Sequence, residues 1–85
     1  MTWDELEIGI MYQLRCPHPD WNGVIFRYCG TEYQEYQIDV VYSNNLDIHA
    51  EITNGFHTVG FGSMIGIDST FRYIGSKEES PEYFL

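Results

Sequence analysis

The residues best equipped for chemistry are Cys16, Cys29, His18, His49 and His57. Cys16, His18 and Cys29 are plausible soft metal ligands. Their spacing is against it: Cys-x-His is not a zinc-knuckle pattern, no Cys-x-x-Cys occurs, and a structural zinc takes four ligands. Cys16 also falls on the apolar parity of its segment, where a free thiol behaves as a small hydrophobe. No metal and no cofactor is expected. A catalytic Cys–His pair needs positive surroundings to lower the thiol pKa, and a net charge of −9 works the other way. Gly62-Ser63-Met64-Ile65-Gly66 superficially resembles a nucleophile elbow, but Phe61 stands where that motif needs glycine. Gly60-x-Gly62 with Gly66 is not the dinucleotide fingerprint either. The third glycine comes one place late, and no helix pattern or basic residue follows. A bent, glycine-rich strand is the expected reading of that stretch. Carboxylate pairs could do acid–base work in a desolvated cleft, but 13 acids make chance pairs cheap and so small a domain has little room for a pocket. No catalytic residue is assigned, and the chain is not read as an enzyme.

The elements that would position these side chains must come from 85 residues, enough for one domain. Thirteen Asp and Glu stand against four Lys and Arg. Lys77 is the only lysine, and Arg15, Arg27 and Arg72 are scattered. This excludes a two-domain enzyme, a nucleotide-binding α/β fold and a protein that binds nucleic acid by neutralising phosphates. Nucleic acids and anionic membranes are repelled, and basic proteins are attracted. An aromatic content of 16% supplies a core dense enough for a domain of this size. Asp4, Glu5 and Glu7 near the start do not read as a signal peptide, and no apolar run approaches the ~20 residues of a membrane span. Two cysteines are fewer than a small secreted domain usually carries. A cytoplasmic protein is expected, with a disulfide open if the segments ending at Cys16 and Cys29 pair.

Thr2-Trp3-Asp4-Glu5 fits a capping box and predicts one helical turn over 2–7, with Trp3 and Leu6 inward. From there the period is two. Ile8, Ile10, Tyr12, Leu14 and Cys16 alternate with Gly9, Met11, Gln13 and Arg15, which predicts a strand over 9–16. Pro17 to Gly23 reads as a loop. Strands are expected over 24–29, 33–42 and 46–52. A fifth is expected over 56–61, followed by a kink, and a last over 69–74. Tyr36, Ile38, Val40 and Tyr42 share parity with Leu46, Ile48, Ala50 and Ile52. A three-residue Ser43-Asn44-Asn45 loop would set Tyr42 opposite Leu46 and Val40 opposite Ile48. The fold class is therefore mostly β: a small single domain over 1–75, with a strongly bent antiparallel sheet or an SH3-like barrel of five or six strands, one short N-terminal helical turn and an acidic tail over 76–85. Leu6-Glu7-Ile8-Gly9-Ile10-Met11-Tyr12 resembles the first strand of an SH3-like barrel.

In that register, Glu35, Gln37, Asp39 and Val41 face outward beside Asp47, His49 and Glu51. Asp39 lies opposite His49, and Gln37 opposite Glu51. Glu32 extends the row. The result is a grid of carboxylates without lysine to neutralise it, where an ordinary soluble surface mixes both signs. Trp21 and Asp20 sit on the Pro17–Asn22 loop. There Trp21 either anchors a partner or folds back over one end of the sheet. The expected partner-binding set is Glu32, Glu35, Asp39, Asp47, Glu51, Trp21 and Asp20. In size and charge the chain is similar to phage-encoded DNA mimics, anti-CRISPR proteins and acidic nuclease immunity proteins. That similarity implies an inhibitor or decoy that blocks the basic surface of a nuclease or other nucleic-acid-processing enzyme. The alternative is an SH3-like protein–protein interaction module that uses its aromatic residues. Either a monomer or a homodimer fits.

Overall fold

The structure is a computed structural model that describes residues 1–43 and 52–83. Five antiparallel strands form one sheet: β1 (Met11–Arg15), β2 (Ile25–Glu32), β3 (Glu35–Tyr42), β4 (Gly55–Gly60) and β5 (Thr70–Gly75). Their order across the sheet is β4-β3-β2-β1-β5. The last strand thus returns beside the first, with a short helix α1 (Met64–Asp68) on the way. β4 and β5 are the two edges and share no ladder among the described residues, so the sheet is bent and open.

The period of two puts Tyr12, Leu14, Val24, Phe26, Tyr28, Ile38, Val40, Val59 and Phe71 into one buried cluster on the inner face. The expected N-terminal turn is present as a 3-10 turn over Trp3–Glu5. The Thr2 amide donates to Glu5 Oε1 at 3.0 Å, closing one arm of the capping box. Trp3 and Leu6 point into the core. Trp3 meets Phe71 edge-on at 4.6 Å, and its indole N–H donates to the Ile65 carbonyl at 3.2 Å.

Several expectations need correction. β1 is shorter than 9–16. Gly9 turns the chain with φ 89°, so Ile8 is left exposed, while Met11, expected outward, is fully buried. β2 runs past Gly30, which supplies φ 100° inside an irregularity between Tyr28 and Thr31. A side chain there would also press on Ile8, 3.2 Å from its Cδ1. Between Gly60 and β5 the chain makes α1 instead of a kinked strand. Ser63 caps it: its Oγ accepts from the Gly66 amide at 3.0 Å and donates to the Gly60 carbonyl at 2.7 Å.

The expected partner of β3 is also different. β3 is flanked by β2 and β4, with Val40 opposite Gly55 instead of Ile48. The predicted strand over 46–52 and its Ser43-Asn44-Asn45 loop lie, apart from Ser43 and Ile52, outside the described residues. Matching parity between two segments does not make them neighbours. Val59 and His57 also lie on the inner face, opposite Tyr36 and Ile38.

β2 and β3 are joined by the two-residue turn Tyr33-Gln34, with Glu32 opposite Glu35. Both turn residues are left-handed, with φ 54° and 60°. Such a turn favours Asn-Gly, because a Cβ costs about 1–2 kcal/mol in this region. The double substitution Tyr33→Asn with Gln34→Gly is expected to stabilise the fold. Allowing for the entropy of the added glycine, about 1 kcal/mol should remain, which would raise the thermal midpoint by about 4–8 °C. An unchanged or lower midpoint by calorimetry would contradict the strain.

Beyond β5 the chain turns back. The Glu79 carboxylate accepts from the Tyr73 hydroxyl at 2.9 Å, which holds the Glu79 pKa below and the Tyr73 pKa above their usual values. Ser80 is buried, and its hydroxyl donates to the Ile74 carbonyl at 3.1 Å.

Candidate partner-binding site

A ladder of rings leads from the core to the surface at the Tyr33 end of the sheet. Trp3 is 5% exposed and stacks on Tyr36 with centroids 4.0 Å apart and planes 3° apart. Tyr36, half-buried on β3, meets Phe61 at 4.5 Å. Phe61 is exposed and is fixed to the β2–β3 turn by its amide, which donates to the Gln34 carbonyl at 3.1 Å. Met64 and Ile67 follow on α1, three residues apart and so on one side of the helix, and both are exposed. α1 is held close because Gly66 lies against the Gly60 and Phe61 carbonyls. A Cβ at Gly66 would come to 2.8 Å from the Phe61 oxygen. Tyr33, at the turn itself, is 86% exposed.

Carboxylates border this end. Asp4 follows Trp3 and bears on the Tyr28 and Tyr36 hydroxyls. Both phenols are pushed to higher pKa, first by burial and then by charge that includes Asp4. Glu32 and Glu35 face each other across the turn, and Asp68 closes α1. No Lys or Arg occurs between residues 28 and 71. Arg15, Arg27 and Arg72 lie on the outer face of β1, β2 and β5, on the ladder positions of Gln13 and Met11, away from the core cluster.

The expected site residues are only partly brought together. Glu32 and Glu35 are neighbours. Asp39 lies opposite Arg27 and Phe56, not His49, and Gln37 lies opposite Thr58, not Glu51. Asp39 accepts from Arg27 Nη2 at 3.3 Å in a half-exposed ion pair, an arrangement worth well under about 1 kcal/mol. The continuous carboxylate grid on β3 is therefore absent among the described residues. Its outer neighbours are a neutralised Asp39, Gln37, Thr58 and a 66% exposed Phe56. Asp47, His49 and Glu51 lie outside the described residues. Trp21 folds back: it is partly buried against the core and meets His57 edge-on at 5.5 Å. Asp20 is half-buried, its amide donating to His18 Nδ1 at 3.2 Å.

Cys16 and Cys29 are free thiols, both pushed to higher pKa by burial. Their Sγ–H groups reach the His18 and Arg27 carbonyls at 3.6 and 3.5 Å. Among the described residues no cluster of three or more metal-ligating side chains forms, and no cavity opens. What the arrangement offers is an aromatic, acid-bordered surface.

Sequence reading missed Tyr36, Phe61, Met64 and Ile67. Tyr36 counted as core because of its parity, and Phe61 was absorbed into a glycine-rich strand. The available signal was the Ser63 cap followed by Met64, Ile65 and Ile67, which reads as the start of a helix. No protein family, no curated protein and no solved structure matches this chain.

Proposed function

We propose that this protein is a small binding module that holds a basic protein partner at the end of the sheet displaying Tyr33, Tyr36 and Phe61. The observation that carries this reading is the Trp3–Tyr36–Phe61 ladder. It is rigid because its inner rung is a core residue, and it emerges in a stretch of the chain with no positive charge. Exposed aromatics fixed by a core are good anchors, because little conformational entropy is lost when they are buried by a partner. The surrounding carboxylates favour a cationic partner and speed its approach. The return of β5 beside β1, with a helical turn preceding it, resembles the strand order of SH3-like domains and is consistent with an interaction role.

A second reading has its own support. A net charge of −9 is more than an adaptor requires, and it favours an inhibitor or decoy whose target is the basic groove of a nuclease or other nucleic-acid-processing enzyme. The two readings separate by experiment. A partner captured from lysate at about 50 mM salt is measured against wild type, against Tyr33→Ala with Phe61→Ala, and against Asp4→Asn with Glu32→Gln and Glu35→Gln. The aromatic double variant is expected to lose at least about 30-fold in affinity, the scale of a hot spot. A decoy predicts a different result: the aromatic variant binds normally, the neutralised variant loses affinity and salt dependence, and nucleic acid competes for the partner. If both variants bind as wild type does, this end of the molecule is not the interface.

A further inference from the structure

We infer that the ladder end recognises an arginine side chain of the partner in preference to a lysine. This rests on the proposed role of that end as a partner-binding surface. Tyr36 is covered by Trp3 on one side and meets Phe61 on the other, so Phe61 is the outermost rung of the ladder. It is exposed and has no basic residue of its own chain beside it in sequence. Asp4 follows Trp3 on the N-terminal turn, and the Trp3 ring lies flat on Tyr36, so the Asp4 charge acts on the phenolic groups of Tyr36 and the neighbouring Tyr28. An aromatic surface, two hydroxyl acceptors and a carboxylate thus occupy one end of the inner face.

A guanidinium uses such a surface in two ways at once. Its planar face stacks on a ring, and its in-plane N–H groups remain free to donate to a carboxylate or hydroxyl. An ammonium is a compact, strongly hydrated point charge that gives up more hydration on an aromatic surface and has no plane to stack. The Glu32–Glu35 pair lies on the outer face of the same end and adds a longer-range field that draws a cation toward it. Like charges directly opposite each other on neighbouring strands repel, and a bound cation relieves that repulsion. Arg15, Arg27 and Arg72 lie on the outer face and Arg27 is engaged with Asp39, so among the described residues no arginine of this chain occupies the ladder.

The test uses two blocked peptides of identical sequence, except that one carries arginine wherever the other carries lysine. Each is titrated calorimetrically into the full chain. The arginine peptide is expected to bind at least about fivefold more tightly, on the scale of a partly desolvated cation–aromatic contact. Phe61→Leu keeps the apolar bulk and removes the π face. It is expected to abolish the preference while lowering the thermal midpoint by no more than several degrees, the scale of one lost aromatic pair. Asp4→Asn is expected to weaken the arginine peptide severalfold, and Glu78→Gln, in the C-terminal turn, to leave it unaffected. Equal binding of the two peptides, or no binding of either, overturns the arginine preference. If both peptides bind equally but both weaken in Phe61→Leu and Asp4→Asn, the binding surface stands and only the preference is lost. If both bind these variants as they bind wild type, the surface itself is misplaced.

Discussion

Trp3→Ala is expected to be among the most damaging single substitutions, at about 3–5 kcal/mol, the usual cost of truncating a buried large aromatic. Its ring touches Phe26, Tyr28, Tyr36 and Phe71, which come from β2, β3 and β5. Its indole N–H is bonded to α1 through the Ile65 carbonyl, and that carbonyl also accepts from the buried Ser69 hydroxyl. One side chain therefore joins three strands, the helix and the N-terminal turn. A domain of this length has total stability of about 4–13 kcal/mol, so the variant approaches the unfolding limit. Urea unfolding at 25 °C should show a midpoint lowered by at least about 1 M. Trp3→Phe retains most of the packing but not the hydrogen bond and should fall between the two. A midpoint within error of wild type for Trp3→Ala would mean that Trp3 is not the centre of the core.

Gly66→Ala should also be costly, although it adds a single methyl group to a half-buried helical position where alanine is normally favoured by about 1 kcal/mol. The added Cβ would collide with the backbone oxygens of Gly60 and Phe61, and backbone cannot swing aside as a flexible side chain can. Forced overpacking of this kind costs about 1–3 kcal/mol. Part of the damage should appear as movement of α1 away from β4, loosening Phe61 and with it the partner surface. Gly62→Ala is the internal control. It has open space around its Cβ direction and is expected to be neutral or to stabilise by a few tenths of a kcal/mol through the unfolded chain. Chemical denaturation of both variants decides the matter. Equal effects would show that the glycine at 66 answers to no close approach.

Much of the architecture could be read from residue order because local rules and burial agree there. The alternation in 10–14, 24–28 and 36–40 matches the buried inner face, and the Thr2–Glu5 pair marks the N-terminal turn. The β3 partner could not be read from parity. Parity says which face a residue occupies but not which segment lies alongside, and Gly55–Gly60 offers only Val59 as a strongly buried signal. The Tyr33-Gln34 turn was hidden for the opposite reason: neither residue has an intrinsic preference for the left-handed region, so the tertiary fold overrides local propensity there. For the site, the sign of the charge was legible in the composition and its placement was not. Asp39 lost its expected role because the neighbouring strand places Arg27 across from it. Phe61 gained one because a helix cap, not a strand, follows it.

The pairing of β5 with β1 brings together segments separated by more than fifty residues of chain. The β2–β3 hairpin, closed by only two residues, needs almost no search. The two unions differ greatly in the entropy of the loop that each must close, so hairpin formation is quick and edge completion is late. Until β5 arrives, β1 presents an unsatisfied row of amides and carbonyls, and Phe71 is missing from the rings around Trp3. A chain whose β5 has yet to dock would carry a sticky flank along β1, and that flank is where pairing with a second chain would start.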